Sequence, residues 1–121
     1  MIFHNLRWLS IIAGYAGYVM IVVLSVLPAQ TRPHTGFGGE YEHWIAYALV
    51  GGLFAAGYTA MRQRLFAGFA LTASAAVLEL LQNFSPGRTP ELAGFLAGSL
   101  GAWFGIFLVV LAAIFHRSQT K

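Results

Sequence analysis

Four long apolar runs, separated by short polar breaks, leave this chain almost nothing with which to face water. The runs cover about residues 8–27, 43–61, 65–82 and 91–115. Each is close to the roughly 20 residues that a helix needs to cross about 30 Å of hydrocarbon. Only 9% of the 121 residues are charged and 58% are apolar, whereas a soluble domain carries about a quarter charged residues. The charges gather in the breaks, as expected when lipid is the solvent. The runs are continuous and lack the alternation that membrane-barrel strands need. The chain therefore reads as an all-α, polytopic membrane protein, a single domain over residues 1–121 built as a bundle of four transmembrane helices.

The breaks have recognisable punctuation. Pro28 ends the first run, and Ala29 to Gly39 is rich in turn residues. Arg62-Gln63-Arg64 separates the second and third runs, and Asn83-Phe84-Ser85-Pro86-Gly87-Arg88 stops the third. Thr89 is the expected N-cap of the fourth helix, with Pro90 at its first position. The first run exceeds the roughly 7–15 residues of a signal-peptide core, so it is expected to stay as a helix.

Orientation follows from the basic residues. Arg7, Arg62, Arg64, Arg117 and Lys121 fall on one side and Arg32 and Arg88 on the other. Lys and Arg collect on the cytoplasmic side of membrane proteins, which predicts both termini inside. The net charge of +3 then reports topology, not a nucleic-acid partner. All four acidic residues, Glu40, Glu42, Glu79 and Glu91, fall on or near the outer side with His34 and His43. The chain has no cysteine, which removes disulfides, thiolate metal sites and thiol nucleophiles. His34, Glu40, Glu42 and His43 are metal-ligand types without a fixed spacing, so neither a metal nor a cofactor is expected.

Glu79 is the most informative single residue, because an ionisable group inside an apolar run is costly and marks a site. Gln82 shares its helix face three residues on. His43 and Tyr47 are four apart at the outer end of the second run, and Arg88 and Glu91 flank the start of the fourth. Glu79 serves either a ligand or proton role or a structural pair, with His43 or Arg88 as its partner. Ser85 and Thr89 offer hydroxyl donors in a loop that is equally a tight turn. A Ser85, His43 and Glu79 triad lacks any local sign of a nucleophile elbow.

Small residues predict the packing. Gly94, Gly98, Gly101 and Gly105 recur on one face of the fourth helix, where close backbone approach replaces the missing hydrophobic drive between helices. Ala13 with Gly17, and Gly51 or Gly52 with Ala55 or Ala56, are weaker contacts of the same kind.

Taken together, Glu42-His43-Trp44-Ile45-Ala46-Tyr47, then Glu79-Leu80-Leu81-Gln82 and Pro86-Gly87-Arg88, followed by Gly101 and Gly105, resemble the VanZ-like family of small bacterial membrane proteins. The resemblance covers roughly residues 20–106. It implies a multi-pass protein of the bacterial cytoplasmic (inner) membrane with His43, Tyr47, Glu79, Gln82 and Arg88 as its polar set and Glu91 as an acidic substitute. Gly39 stands where the family usually has Asp, Glu40 where it has Lys, and Gly94 and Gly98 where it has Asp and Asn. The family takes its name from low-level resistance to the glycopeptide teicoplanin, without a mechanism attached.

Three functions are open at this point. One is a non-catalytic cell-envelope role, recognising a membrane lipid or lipid-linked cell-wall group at the outer face. Another is an accessory subunit of a larger membrane complex, with Trp103, Phe104, Phe107 and Phe115 meeting partner helices. The last, an intramembrane enzyme acting on a lipid headgroup, needs a second catalytic group that the sequence does not clearly supply.

Overall fold

Polar residues at the helix ends extend the helices past the apolar runs. The computed structural model describes residues 2–33 and 35–120; His34, one of the weak metal-ligand candidates, and Lys121, one of the basic residues used for orientation, lie outside them. Helix α1 spans Ile2–Val26, six residues earlier than the apolar run begins. Trp8 Nε1 donates to His4 Nε2 at 2.9 Å, one turn back. Pro28 ends α1, since the residue before a proline is pushed out of the helical region. A 3-10 turn, Ala29–Thr31, follows. Gly38, with φ +89°, then turns the chain into α2, Gly39–Gly57. Glu40 and Glu42 lie in the first turn of α2, where carboxylates suit the positive end of the helix dipole.

Helix α3, Met61–Leu81, takes Arg62-Gln63-Arg64 into its first turn and leaves only residues 58–60 as the break. A 3-10 turn, Gln82–Phe84, prolongs it. Helix α4 runs Leu92–Gln119. Its start corrects the sequence expectation: Glu91 is the N-cap, extended at φ −128° and ψ 131°, so Thr89 and Pro90 precede the helix. The reason is tertiary. The Glu91 N–H is taken by a carboxylate of α3 at 2.6 Å, which holds this residue out of the helix.

Among the described residues, three segments, His4–Val26, Met61–Phe84 and Leu92–Gln119, are long and apolar enough to cross a membrane. Helix α2 is the exception, with two carboxylates and His43 near its start. It is also the central helix, packed along α4 on one side and α1 on the other, while α3 lies against α4. The shared core runs through Ile21, Tyr47, Val50, Phe54, Leu71, Ala75, Leu78 and Ala102. Large apolar side chains such as Leu9, Met20, Phe66, Leu100 and Phe107 point outward, the inside-out pattern of a bundle solvated by hydrocarbon.

The helices alternate in direction, and each end of the bundle is stitched by arginine. At one end Arg7 Nε donates to Gly57 O at 3.1 Å, closing the C-terminus of α2 onto the start of α1. Arg64 Nε donates to Ala55 O at 3.0 Å and Tyr58 O at 2.8 Å, and Arg117 of α4 lies close enough to act on its charge. This is the basic end. At the other end Arg88 Nη1 donates to Leu24 O at 3.0 Å and Ser25 O at 2.8 Å, the unpaired carbonyls at the C-terminus of α1.

The α2–α4 contact is a reciprocal backbone approach. A Cβ on Gly101 would meet the Trp44 carbonyl, one on Gly105 the Ala48 carbonyl, and one on Gly51 the Ala102 carbonyl. Close approach of this kind substitutes for hydrophobic drive in lipid. Helix α1 meets α2 through Gly14, against Phe54, and Gly17, against Val50. Ala13 points outward, which corrects the Ala13–Gly17 pairing. Trp103 is held within the bundle: its ring lies over Gly68 and its Nε1 donates to Thr72 Oγ1 at 3.0 Å.

Candidate functional site

The buried carboxylate is the natural place to begin. Glu79 projects from the last turn of α3 and is 8% exposed. Its Oε1 accepts the Glu91 N–H, and Gln82 Nε2 donates to its Oε2 at 3.5 Å. Gln82, 4% exposed, reaches back across the 3-10 turn to the residue three before it, the geometry that spacing on a helix predicts. A buried polar group without partners costs free energy; here each of these has one.

Glycines on α4 make room for this arrangement. A Cβ on Gly94 would stand 2.7 Å from Glu79 Oε2, and one on Gly98 would stand 3.1 Å from the Tyr47 ring. The four glycines therefore divide by task. Gly101 and Gly105 let α2 and α4 touch, whereas Gly94 and Gly98 seat the Glu79 carboxylate and the Tyr47 ring. The sequence alone favours packing over clearance for all four, and the structure divides them. The one signal available in the sequence was that Gly94 and Gly98 stand where the resembled family carries polar side chains.

Helix α2 contributes the other half. Tyr47 is 2% exposed, and His43, one turn nearer the cavity end, lies against the Gly94 backbone and near Glu79. One residue before His43, Glu42 faces the loop instead: it pairs with Arg32 and accepts the Thr35 hydroxyl at 2.7 Å. That pairing was not foreseen, because it depends on how Arg32 and Thr35 sit against the first turn of α2.

Loop 85–90 is tied to α1. Ser85 Oγ donates to Val26 O at 3.0 Å, and Ala29 N donates to Pro86 O at 3.3 Å. Ser85 is buried, and its hydroxyl serves as a structural donor to α1. Arg88 is likewise committed through Nη1 to α1 carbonyls. Burial, with Arg32 nearby, pulls its guanidinium below the ordinary value, though a guanidinium stays charged.

Between these parts lies a cavity of about 400 Å³, whose lining includes Arg32, His43, Glu79, Gln82, Arg88 and Glu91. Of the polar residues singled out in the sequence, it brings together His43, Glu79, Gln82, Arg88 and Glu91. Tyr47 lies outside it, in the core behind Gly98. Glu91 presents an exposed side chain while its N–H holds Glu79. Cations, an imidazole and carboxylates on one rim suit a polar headgroup that carries both signs of charge. Among the described residues, no three His, Cys, Asp or Glu side chains are grouped to hold a metal ion. No protein-family model, curated protein or solved structure matches the chain.

Proposed function

We propose that this chain is a VanZ-like, non-catalytic protein of the bacterial inner membrane that recognises a lipid or lipid-linked cell-wall headgroup at its outer face. In this reading all four helices cross the bilayer with both termini inside. Helix α2 reaches from the level of Glu79 to that of Arg7, the depth that its apolar neighbours cover. Its polar first turn faces the cavity and loop instead of lipid. Arg7, Arg62, Arg64 and Arg117 belong to the basic end, which the positive-inside rule assigns to the cytoplasm.

The observation that carries the functional reading is a carboxylate 8% exposed on the wall of a polar cavity, at a depth where ionisable groups are retained for a purpose. His43 and Glu79 are the recognition pair, Gln82 and Gly94 set the carboxylate in place, and Arg88 shapes the rim.

The test is binding in nanodiscs of phosphatidylethanolamine and of a prenyl-linked muropeptide, together with teicoplanin susceptibility of cells. Glu79→Gln and His43→Ala should each weaken binding about tenfold or more, the size of a lost hydrogen bond to a charged group, while still inserting normally. Wild-type binding and susceptibility in both variants would sink the proposal. A stable co-purifying membrane protein would favour the accessory-subunit reading instead.

A further inference from the structure

A second cavity lies toward the basic end, where α1 and α3 meet over only a short stretch. It encloses about 520 Å³ between Tyr15, Tyr18, Phe54, Phe66, Ala67 and Leu71, within the roughly 300–1,000 Å³ of ligand pockets. The Tyr15 and Tyr58 hydroxyls, 3.1 Å apart, satisfy each other on one wall. The rest of the lining is nearly all apolar. Arg62 and Gln63, in the first turn of α3, stand at its end.

The arginines nearby differ in how they are used. Arg7 and Arg64 are bound to backbone carbonyls of α2 and the turn after it. Arg62 is exposed and, among the described residues, makes no hydrogen bond or ion pair. The N-terminus of α3 beside it has Ala60 as its N-cap and no side-chain cap; the Gln63 and Arg64 N–H groups donate to Ala60 O, which leaves those of Met61 and Arg62 to face an anion.

We propose that this groove holds one acyl chain of an anionic phospholipid, with the phosphate against Arg62 and the first turn of α3. An apolar groove between two helices of membrane-spanning length opens toward hydrocarbon, and leaving it unfilled forfeits the contacts of its lining atoms. An acyl chain is a thin, flexible filler for such a groove, and the exposed Arg62 at its end complements an anionic headgroup. The free arginine supplies the charge preference and the apolar walls supply the seat. This site is separate from the outer cavity and does not depend on what that cavity binds.

The experiment uses the full chain in phosphatidylcholine nanodiscs doped with a phosphatidylglycerol that carries a diazirine on one acyl chain. Cross-links mapped by mass spectrometry should concentrate on Tyr18, Phe66 and Ala70. Arg62→Glu should lower phosphatidylglycerol labelling about fivefold, the worth of one basic residue at an anionic surface, down to that of a phosphatidylcholine probe. Ala70→Trp fills the groove from an exposed position and should remove the cross-links while leaving helical content unchanged. Labelling spread evenly onto outward residues such as Phe107 and Leu111 would overturn the proposal. So would groove labelling indifferent to both substitutions, or a groove cross-link to a second protein chain.

Discussion

Glu79 and Gly94 share one volume: a Cβ at position 94 would stand 2.7 Å from Glu79 Oε2 and 3.1 Å from its Oε1. The absence of a side chain on α4 is therefore part of what seats the carboxylate on α3. That carboxylate in turn holds the Glu91 N–H and delays the start of α4 by two residues beyond Pro90. The acidic site and the entry to the last helix are built as one unit.

Gly94→Ala should consequently destabilise the protein by about 1–3 kcal/mol, the usual cost of an added methyl in a packed interior. The same substitution in a Glu79→Ala background should cost much less, giving a coupling of about 1 kcal/mol or more. Denaturant unfolding in micelles measures all four corners of that cycle. Additive costs would mean that Gly94 serves backbone packing alone.

The α2–α4 contact separates two glycines that look alike in sequence. A Cβ at Gly105 runs into the Ala48 carbonyl, which is backbone and cannot move aside, whereas one at Gly52 meets Gly105 O at an ordinary 3.6 Å. Gly105→Ala should cost about 1–3 kcal/mol or more. Gly52→Ala should be neutral or slightly stabilising, because alanine is the better helix former. Thermal unfolding of the two variants in one detergent decides it, and equal shifts would contradict the geometry.

Arg88 is expected to behave as a structural residue first. Arg88→Ala removes the donors that satisfy Leu24 O and Ser25 O, and should lower stability by about 1.5–3 kcal/mol, the range for hydrogen bonds to a charged group. Hydrogen exchange should quicken in residues 27–33. Arg88→Lys should recover only part of the loss, since a single ammonium lacks the planar fork of a guanidinium. Unchanged stability in Arg88→Ala would return this residue to a purely ligand-binding role.

Thr72→Val should cost about 0.6 kcal/mol and at most about 1.7, the range for hydrogen bonds between membrane helices, because it leaves the Trp103 indole N–H without its acceptor. Trp103 fluorescence should shift as the ring loosens over Gly68. No spectral change would show that the ring is held by packing alone.

Much of the fold was legible because apolar length is a local property. The runs after Trp8, Leu65 and Glu91 mark three helices of spanning length, and Pro28 and Pro86-Gly87 mark two of the breaks. The helix ends were less legible. Arg62, Gln63 and Arg64 read as a loop because they are polar, yet α3 begins with them, since polar residues at a membrane helix end cost its backbone nothing. Within the site, the Glu79–Gln82 pair was readable from its spacing of three. The Arg32–Glu42 pair and the commitment of Ser85 to Val26 were not, because each depends on how a loop lies against a helix, which no local spacing fixes.

By itself, then, the order of residues determined an all-helical chain dominated by spans of bilayer length, with an ionisable residue near the end of the third helix. Those properties follow from hydrophobicity and periodicity, which act residue by residue. Only the tertiary structure decided that α2, the one helix of the four that falls short of the combined length and apolarity of a membrane span, lies at the centre, where α1 and α4 cover it. It also decided that Gly94 and Gly98 clear space for Glu79 and Tyr47 while Gly101 and Gly105 bring backbones together. A missing side chain acquires a purpose only from what occupies the space it leaves, and that neighbour lies 15 residues away for Gly94 and 51 for Gly98.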